Sequence, residues 1–577
     1  MLKSYILNYQ TSIKNSIKSS SSTVWIVSLT VVPVAIYALL LLFETPIAEL
    51  IMNVYPPSFG KGEAYYRDYI YIARVEVLWV GLFFLISLLL ALYTSGNVLD
   101  RHLKVASDAK VTYYVMLVAC GYFLITLLIT NYVLEGFPNS SDEYAYILQA
   151  EMFSRDKLWE RAHDLPDFFY NNNIAQHDGI IVSRFPPGWP LVLSGAFEIG
   201  MHPALVNPLL GLVSLVVFYL FAKRYYGKTV AVWSCFALGL SGFYLFNSAS
   251  YFSHVSCMMV VLLFVFNIHL YREKSRFIYA VLAGFFLAFV VVIRYYTALL
   301  IFVPFLITLI VDYRWRVIRL FILMAIGSAP CLAYLLWYNY SITGNAFMPV
   351  TMWAYPSEQI GFVKGHNFLQ GMEHLVRRTL MFVYWTSPGL LVLYLVYLYR
   401  KVKSPVDRLV RPEDYTFLTL VIGYFFYYQI GGNQYGPRFL FEALPFVIVF
   451  VVSRVIQSRE KWATAILITS LLFPLVKLPF IAYREGKIID QRQDLYDLVR
   501  EQKIQNAVVF VASATSPIRP MPTGDLTRND PMFMNDVIYV LEIPRINEQL
   551  FEYYNDRAFY RYVRDTEKPH GELVRVR

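Results

Sequence analysis

The chain contains runs of about 20 apolar residues that recur from Val24 to Tyr483, separated by short polar segments. A helix of that length crosses the roughly 30 Å hydrocarbon core of a bilayer. Of the 577 residues, 57% are hydrophobic and 16% are charged, a balance unlike that of water-soluble proteins. We therefore predict a mainly α, polytopic transmembrane helical bundle. The runs predict about thirteen spans, at residues 23–43, 74–94, 111–134, 203–222, 229–247, 250–271, 277–293, 295–311, 318–339, 378–399, 413–430, 438–456 and 462–482.

The basic residues lie in short clusters in alternate loops between the apolar runs. The net charge of +9 does not indicate nucleic-acid binding, since these residues form neither a stripe nor a tail. By the positive-inside rule, these loops and the N-terminus face the cytoplasm. The long loops 135–202 and 340–377, the turn Gly431–Pro437 and everything after Tyr483 are then extracytoplasmic. The basic clusters are Arg101/Lys104/Lys110, Lys223/Arg224/Lys228, Arg272/Lys274/Arg276, Arg314/Arg316/Arg319, Arg400/Lys401/Lys403 and Arg459/Lys461.

One apolar segment, Gly188–Gly200, is too short to cross a bilayer comfortably and ends just before His202 and Pro203. We predict that it is re-entrant or interfacial. If it crosses instead, the orientation of every later loop is reversed.

The chain divides by composition into three parts: a two-span extension at 1–110, a membrane core at 111–483 and a soluble part at 484–577. The last part alternates predicted helices and β-like runs, as in a small extracytoplasmic α/β domain. Its predicted elements are helices near Gln491–Gln502 and Asn547–Tyr554 and strands at Ala507–Ala512, Val537–Leu541 and Phe559–Val563.

Two adjacent acids, Asp142 and Glu143, open the loop 135–202, the first large external loop. Ser140 and Glu143 have the spacing of a capping box, and acidic residues suit a helix N-terminus, so capping explains the pair locally. The alternative is catalytic: a carboxylate at the membrane surface accepts the proton of a hydroxyl nucleophile, and its neighbour orients it or shares a metal. The two interpretations are compatible.

Two further motifs lie in segments predicted on the same face as the acidic pair. They are Phe-Pro-Pro-Gly-Trp-Pro-Leu at 185–191 and Tyr-Gly-Pro-Arg-Phe-Leu at 435–440. In order, spacing and topology, the acidic pair and these motifs resemble the polytopic GT-C glycosyltransferases, in particular the family that includes protein O-mannosyltransferases and the lipid-A aminoarabinose transferase. The resemblance covers about Val111 to Tyr483.

The resemblance implies a hexosyl- or pentosyltransferase that moves a sugar from a polyprenyl-phosphate donor to an acceptor hydroxyl or amine outside the cytoplasm, with inversion. Carried over by position, Asp142 is the general base and Glu143 its neighbour. The implied partners are membrane lipids, the lipid-linked donor and a glycan, lipid or protein acceptor. The implied location is a bacterial plasma membrane, in cell-envelope glycosylation.

Several other polar residues are candidates for the same site. Arg294 and Arg438 suit phosphate, because guanidinium groups bind its oxygens in pairs, and Tyr435 lies in the same turn as Arg438. Both arginines could equally reach lipid headgroups. His254 near a helix end and Arg184 before the Pro-Pro-Gly turn are further candidates, although an interfacial histidine is often simply hydrogen-bonded.

No cofactor is implied with certainty. The four cysteines lie within apolar runs without the spacing of a zinc or redox motif, whereas a divalent metal at the acidic pair is left open.

Two other functions fit the composition. A transporter or flippase for a lipid-linked solute usually carries charges within its spans and has repeated halves, whereas here the spans are nearly uncharged. A polysaccharide polymerase or ligase is expected to use arginine and histidine without an acidic pair after an early span.

Overall fold

The computed structural model describes residues 63–94, 108–356, 360–363, 366–403, 411–431, 434–514, 523–564 and 570–577. The first predicted span, 23–43, lies outside these residues. The helices, numbered in chain order, are α1 Glu63–Tyr93, α2 Asp108–Leu128, α3 Ser141–Phe153, α4 Gly188–Glu198, α5 Val206–Tyr226, α6 Lys228–Gly239, α7 Gly242–Ser248, α8 His254–Lys274, α9 Phe277–Ile293, α10 Tyr295–Tyr313, α11 Val317–Thr343, α12 Val350–Ala354, α13 Phe368–Trp385, α14 Pro388–Lys403, α15 Thr416–Phe425, α16 Leu444–Ser458, α17 Lys461–Glu501 and α18 Asn547–Tyr553.

The protein is a multi-pass integral membrane protein. Within the described ranges, seven helical segments are long and apolar enough to cross a bilayer, or up to nine if each of two bent helix pairs is one span. The predicted count of thirteen is therefore not confirmed. The segment Arg438–Ser458 is 89% buried in its apolar window and lies at the centre of the bundle. The seven are Val75–Tyr93, Val111–Val133, Pro203–Tyr226, His254–Lys274, Tyr295–Thr343, Arg438–Ser458 and Lys461–Glu501.

The predicted spans 229–247, 378–399 and 413–430 differ from what the structure shows. Residues 229–247 form α6 and α7, between which the chain bends by 62°. The chain bends by 117° between α13 and α14, so residues 378–399 do not form one straight helix. Thr386, Ser387 and Pro388 lie at the bend, and a proline cannot continue the hydrogen bonding of a preceding helix. The predicted span 413–430 contains most of the 3-10 helix Pro412–Tyr415 and the ten-residue α15, which is too short to cross a bilayer alone.

Helices α9 and α11 pack so closely that glycine is required at their contact. A Cβ atom on Gly284 would lie 1.9 Å from the carbonyl oxygen of Met324, and one on Gly327 would lie 1.9 Å from that of Val281. Small residues of this kind allow helix backbones in membranes to approach, because association there depends on van der Waals contact.

The segments predicted on the extracytoplasmic face contact one another. Tyr355 donates a hydrogen bond to the carbonyl of Asn172 at 3.0 Å, which joins the loops 340–377 and 135–202. Asn139 donates to the hydroxyl of Tyr435 at 3.0 Å, and Arg528 donates to the carbonyl of Pro138 at 2.6 Å. These contacts bring the four segments together at one end of the bundle. The alternation of basic loops predicted that they lie on the same face.

The loop 135–202 has its own structure. Helix α3 is followed by an antiparallel sheet of β1 Glu160–Arg161, β2 Ile174–His177 and β3 Ile180–Ser183, in the order β1-β3-β2. The predicted short segment at 188–200 is the eleven-residue α4. A Cβ atom on Gly188 would lie 2.9 Å from the backbone of Val292, so the Pro-Pro-Gly motif packs directly on α9.

The last 117 residues begin with the 41-residue helix α17, which runs from the membrane bundle through the predicted domain boundary at 484. The predicted strands occur as β4 Ala507–Ala514, β5 Val537–Leu541 and β6 Ala558–Arg564, and the added β7 Glu572–Arg575 was not predicted. The sheet order is β5-β4-β6-β7, with β4 parallel to β5 and β6 and β7 antiparallel to β6. Phe168 and Phe169 from the external loop complete one core of this sheet.

Candidate functional site

The first turn of α3 is built as the capping motif predicts. Ser140 is the N-cap, and its hydroxyl accepts a hydrogen bond from the Glu143 amide at 3.3 Å. The same hydroxyl donates to Glu143 Oε2 at 3.1 Å. Glu143 Oε1 accepts a further bond from the Tyr251 amide at 3.0 Å, so this side chain joins the helix to the turn before α8.

Glu143 is buried, with 1% of its surface exposed, and burial raises its pKa to about 7. The Tyr251 amide, Arg438 and Ser140 favour the ionised form and reduce this rise. The two carboxylate oxygens of Glu143 accept from the Ser140 hydroxyl and the Tyr251 amide, so this enclosed side chain holds two parts of the chain together. A catalytic role for Glu143 stays a prediction.

Asp142, the adjacent residue, is held differently. Its side chain is 29% exposed and makes one contact at each oxygen: Asn173 Nδ2 donates to Oδ1 at 2.6 Å and Arg438 Nη1 donates to Oδ2 at 3.1 Å. Asn173 also donates to the Ser141 hydroxyl at 2.7 Å. The two acids therefore have different environments, with Glu143 enclosed and Asp142 oriented but open on one side.

Arg438 lies at the start of the 3-10 helix Arg438–Ala443, after the Tyr-Gly-Pro motif. Its guanidinium carbon lies 3.8 Å from the centre of the Phe252 ring, and its Nε is buried without a hydrogen-bond acceptor among the described residues. Gly436 has φ +93°, and a Cβ atom there would lie 2.7 Å from Phe243. The glycine therefore permits the turn that directs Arg438 toward Asp142.

Arg294 and His254 meet at a third acid, Glu442. Arg294 Nε lies 3.4 Å and His254 Nδ1 lies 3.2 Å from Glu442 Oε1. Arg294 Nη1 lies 3.3 Å from His254 Nε2 and, as a guanidinium, must be the donor. His254 therefore carries its proton on Nδ1 and donates it to Glu442, so the three side chains form one connected network.

The remaining two predicted site residues lie at the edges of this region. Tyr435 is buried, its hydroxyl accepts from Asn139 and its carbonyl accepts from Asn247 at 2.8 Å. The guanidinium of Arg184 stacks on the Tyr355 ring at 4.3 Å, between the two long external loops. The role of Tyr435 in donor binding and the place of Arg184 in the site stay predictions.

Sequence reasoning missed Glu442 and Asn173. Glu442 is an acid within a predicted span, a position at which an ionisable group is costly and therefore usually functional or paired, and this signal was overlooked. Asn173 belongs to the run Asn171–Asn173, and nothing in that run distinguishes the asparagine that reaches Asp142. In the described part of the chain, no group of three or more His, Cys, Asp or Glu side chains is arranged to hold a metal ion.

Comparison with known proteins gives structural but not sequence matches. No protein-family model matches the chain, and no curated protein matches it. The crystal structure of ArnT from Cupriavidus metallidurans bound to undecaprenyl phosphate is similar, with a TM-score of 0.51 and 12% identity over 82% of this chain and 98% of that one. The apo structure of the same ArnT gives 0.52 and 11% over 81% and 98%.

A weaker similarity is to the arabinosyltransferase EmbB from Mycobacterium smegmatis, with a TM-score of 0.36 and 11% identity over 67% of this chain and 34% of that one. Since the ArnT structures match nearly along their full length, they define the architecture of the present chain. The protein has the GT-C fold of polytopic membrane glycosyltransferases.

Proposed function

We propose that the protein is a membrane glycosyltransferase that moves a sugar from a polyprenyl-phosphate donor to an acceptor on the extracytoplasmic face, with inversion. The observation that carries the proposal is the environment of Asp142: a partly exposed carboxylate, oriented at both oxygens, beside an arginine whose Nε has no hydrogen-bond acceptor among the described residues. The GT-C fold supports the class of enzyme, and undecaprenyl phosphate in the ArnT crystal supports the class of donor.

In the proposed reaction, the acceptor hydroxyl attacks the anomeric carbon from the face opposite the phosphate. Asp142 takes the hydroxyl proton as the new carbon–oxygen bond forms. The bond between the anomeric carbon and the phosphate oxygen breaks, and its electron pair leaves with the polyprenyl phosphate. No cofactor or change of oxidation state is needed for this exchange. The sugar and the acceptor are left open.

The leaving phosphate gains negative charge during this step and needs a cationic partner. Arg438 is the first candidate, because one Nη group binds Asp142 and its buried Nε has no acceptor among the described residues. Arg294 is the second, since it is held beside His254 and Ser253 at the same end of the bundle.

The orientation follows the charge pattern. We propose that the basic loops and the N-terminus face the cytoplasm of a bacterial cell, and that the site and residues 484–577 lie outside. We further propose that residues 1–110 are an addition to a catalytic core of 111–483.

Asp142→Asn tests the proposal, because asparagine keeps the shape and loses the base. The purified variant should lose at least 100-fold in release of undecaprenyl phosphate from labelled undecaprenyl-phosphate hexoses and pentoses, and should still bind undecaprenyl phosphate. Asp178→Asn is the matched control: Asp178 lies in the same loop, is exposed and has φ +53°, which asparagine tolerates. Full activity in Asp142→Asn would exclude Asp142 as the base.

A further inference from the structure

The segment 523–529, between β4 and β5, reaches across to the acidic pair. Arg528 donates to the carbonyl of Pro138 at 2.6 Å, and its guanidinium carbon lies 4.5 Å from the centre of the Phe137 ring. Arg492, on α17, donates to the next carbonyl, that of Asn139. Two arginines from the C-terminal part of the chain therefore bind consecutive carbonyls just before the N-cap of α3.

The same segment contacts α3 after the acidic pair. The Tyr144 hydroxyl donates to the Asn529 carbonyl at 2.5 Å and accepts from the Asn529 amide at 3.0 Å. The Asn529 side chain in turn bonds both the carbonyl and the amide of Tyr539 on β5. Through Asn529, the first turn of α3 is connected to an edge strand of the C-terminal sheet.

It also contacts the chain that carries Asn173. The carbonyl of Gly524 accepts from Asn171 at 2.8 Å, and the hydroxyl of Thr527 donates to the carbonyl of Tyr170 at 3.0 Å. A Cβ atom on Gly524 would lie 2.9 Å from that Tyr170 oxygen, so the two backbones are in close contact. Asn173, which bonds Asp142, therefore follows directly on residues bound by the segment.

The C-terminal side of these contacts is itself held rigidly. Arg528 Nε donates to the Asp525 carbonyl at 2.7 Å, and Asp525 Oδ2 lies 3.6 Å from Arg492. Asp525, Arg528 and Arg492 are all buried. Bonds of charged donors to carbonyls in a buried site are among the stronger hydrogen bonds in proteins, and each constrains direction as well as distance.

We propose that residues 523–529, with Arg492, are a positioning clamp that fixes Asp142 from both sides. This inference rests on the proposed function, since it assumes that Asp142 acts as the base, and it assigns the C-terminal part a task in catalysis. Arg528 and Arg492 act through Pro138 and Asn139 and touch no substrate. A displacement of about 1 Å in a reacting group can cost on the order of 100-fold in rate, which is why such a clamp matters.

The first test measures the clamp without using activity. Hydrogen–deuterium exchange of the full-length protein should show faster exchange in peptides covering 137–150 when Arg528 is replaced by glutamine. The matched control is Arg557→Gln: Arg557 binds the carbonyls of Asn535 and Asp536 at 3.1 and 2.6 Å within the C-terminal part. Arg557→Gln should leave the exchange of 137–150 unchanged. An unchanged exchange rate in Arg528→Gln would overturn the clamp.

The second test uses the reaction. Arg528→Gln should lower kcat at least tenfold and leave the affinity for undecaprenyl phosphate within twofold of wild type, whereas Arg557→Gln should retain kcat. Arg528→Lys should be intermediate, because one ammonium group cannot reproduce the planar fork. Equal kcat in Arg528→Gln and wild type would overturn the catalytic task. Suppose that Asp142→Asn is active and that Arg528→Gln exchanges faster in 137–150. Asp142 would then not be the base, whereas the positioning of residues 137–150 by the clamp would be supported.

Discussion

Arg438 donates a hydrogen bond to Asp142 at 3.1 Å although 296 positions of sequence separate the two residues. The pairing joins the membrane segment Arg438–Ser458 to the N-terminus of α3 in the loop 135–202. Since Arg438 also stacks on Phe252, its guanidinium plane is fixed by two other parts of the chain. One side chain therefore ties the orientation of the acid to the packing of the bundle.

Replacing Arg438 by lysine should distinguish the effect of its positive charge from the effect of its planar guanidinium shape. Lysine keeps the positive charge but loses the planar fork and its stacking on Phe252. We expect kcat to fall at least tenfold with the protein still folded, as judged by thermal unfolding in detergent. Arg400→Lys, at the exposed Arg400–Glu460 pair, is the control and should leave kcat unchanged. Wild-type kcat in Arg438→Lys would mean that the site needs only a cation there.

Glu143 should make the protein less stable as pH rises. The pKa of Glu143 in the folded protein, about 7, lies above the value of 4.5 expected for an exposed carboxyl. The stability that protonated Glu143 contributes is therefore fully present below pH 4.5 and is lost as pH rises through 7. The free energy of unfolding should fall by on the order of 3 kcal/mol over this pH range. Melting temperatures at pH 5 and pH 8 should therefore differ more for wild type than for Glu143→Gln. Equal differences in the two proteins would contradict this assignment.

Glu442 should be essential for stability because it is the shared acceptor of Arg294 and His254. Removing one partner of a buried charge pair leaves the other unpaired, at a cost of about 3–5 kcal/mol. Glu442→Gln should therefore lower the melting temperature strongly. In a double-mutant cycle, Glu442→Gln with Arg294→Gln should lose less than the sum of the single variants. Strict additivity would show that the contact contributes no coupling.

His163 should link low pH to the contact between the external loop and the C-terminal part. Its Nδ1 accepts the Leu165 amide at 3.0 Å, so the proton is on Nε2, which donates to the Tyr554 hydroxyl at 2.9 Å. Burial lowers its pKa to about 4. The stability that neutral His163 contributes to this contact is therefore fully present above pH 6.5 and is lost as pH falls through 4.

We expect hydrogen exchange near Tyr554 to rise between pH 6.5 and 4, after correction for intrinsic rates, and to rise less in His163→Gln. The same pH response in both proteins would assign the effect to another group.

The sequence predicted the parts of this fold that depend on local pattern. Helices α5, α8 and α16 overlap predicted spans and end two to four residues beyond them, and strands β4 and β5 fall where β-branched residues cluster. The capping of α3 and the placement of Asp142 with Arg438 at one end followed from short motifs and alternating basic loops. These features need no knowledge of which elements pack together.

What the sequence did not predict depends on contacts between distant segments. Glu442 lies in an apolar run, and only the folded chain shows that Arg294 and His254 reach it. Strand β7 has four residues and forms only because β6 offers an edge. The bend after Trp385 was signalled by Ser387-Pro388, but the length of the apolar run outweighed this signal.

The length of helix α17 constrains how the C-terminal sheet is oriented on the membrane bundle. At 1.5 Å per residue, its 41 residues extend about 60 Å, roughly twice the hydrocarbon core of a bilayer. The membrane part of this helix and the part that packs on the C-terminal sheet are therefore one continuous helix, with Pro474 and Pro479 in its interior. Because each residue advances an α-helix by about 100°, a single residue inserted between Gln491 and the end of the helix would rotate the sheet and turn Arg528 away from Pro138. The rotation of α17 about its own axis is thus part of the geometry around Asp142.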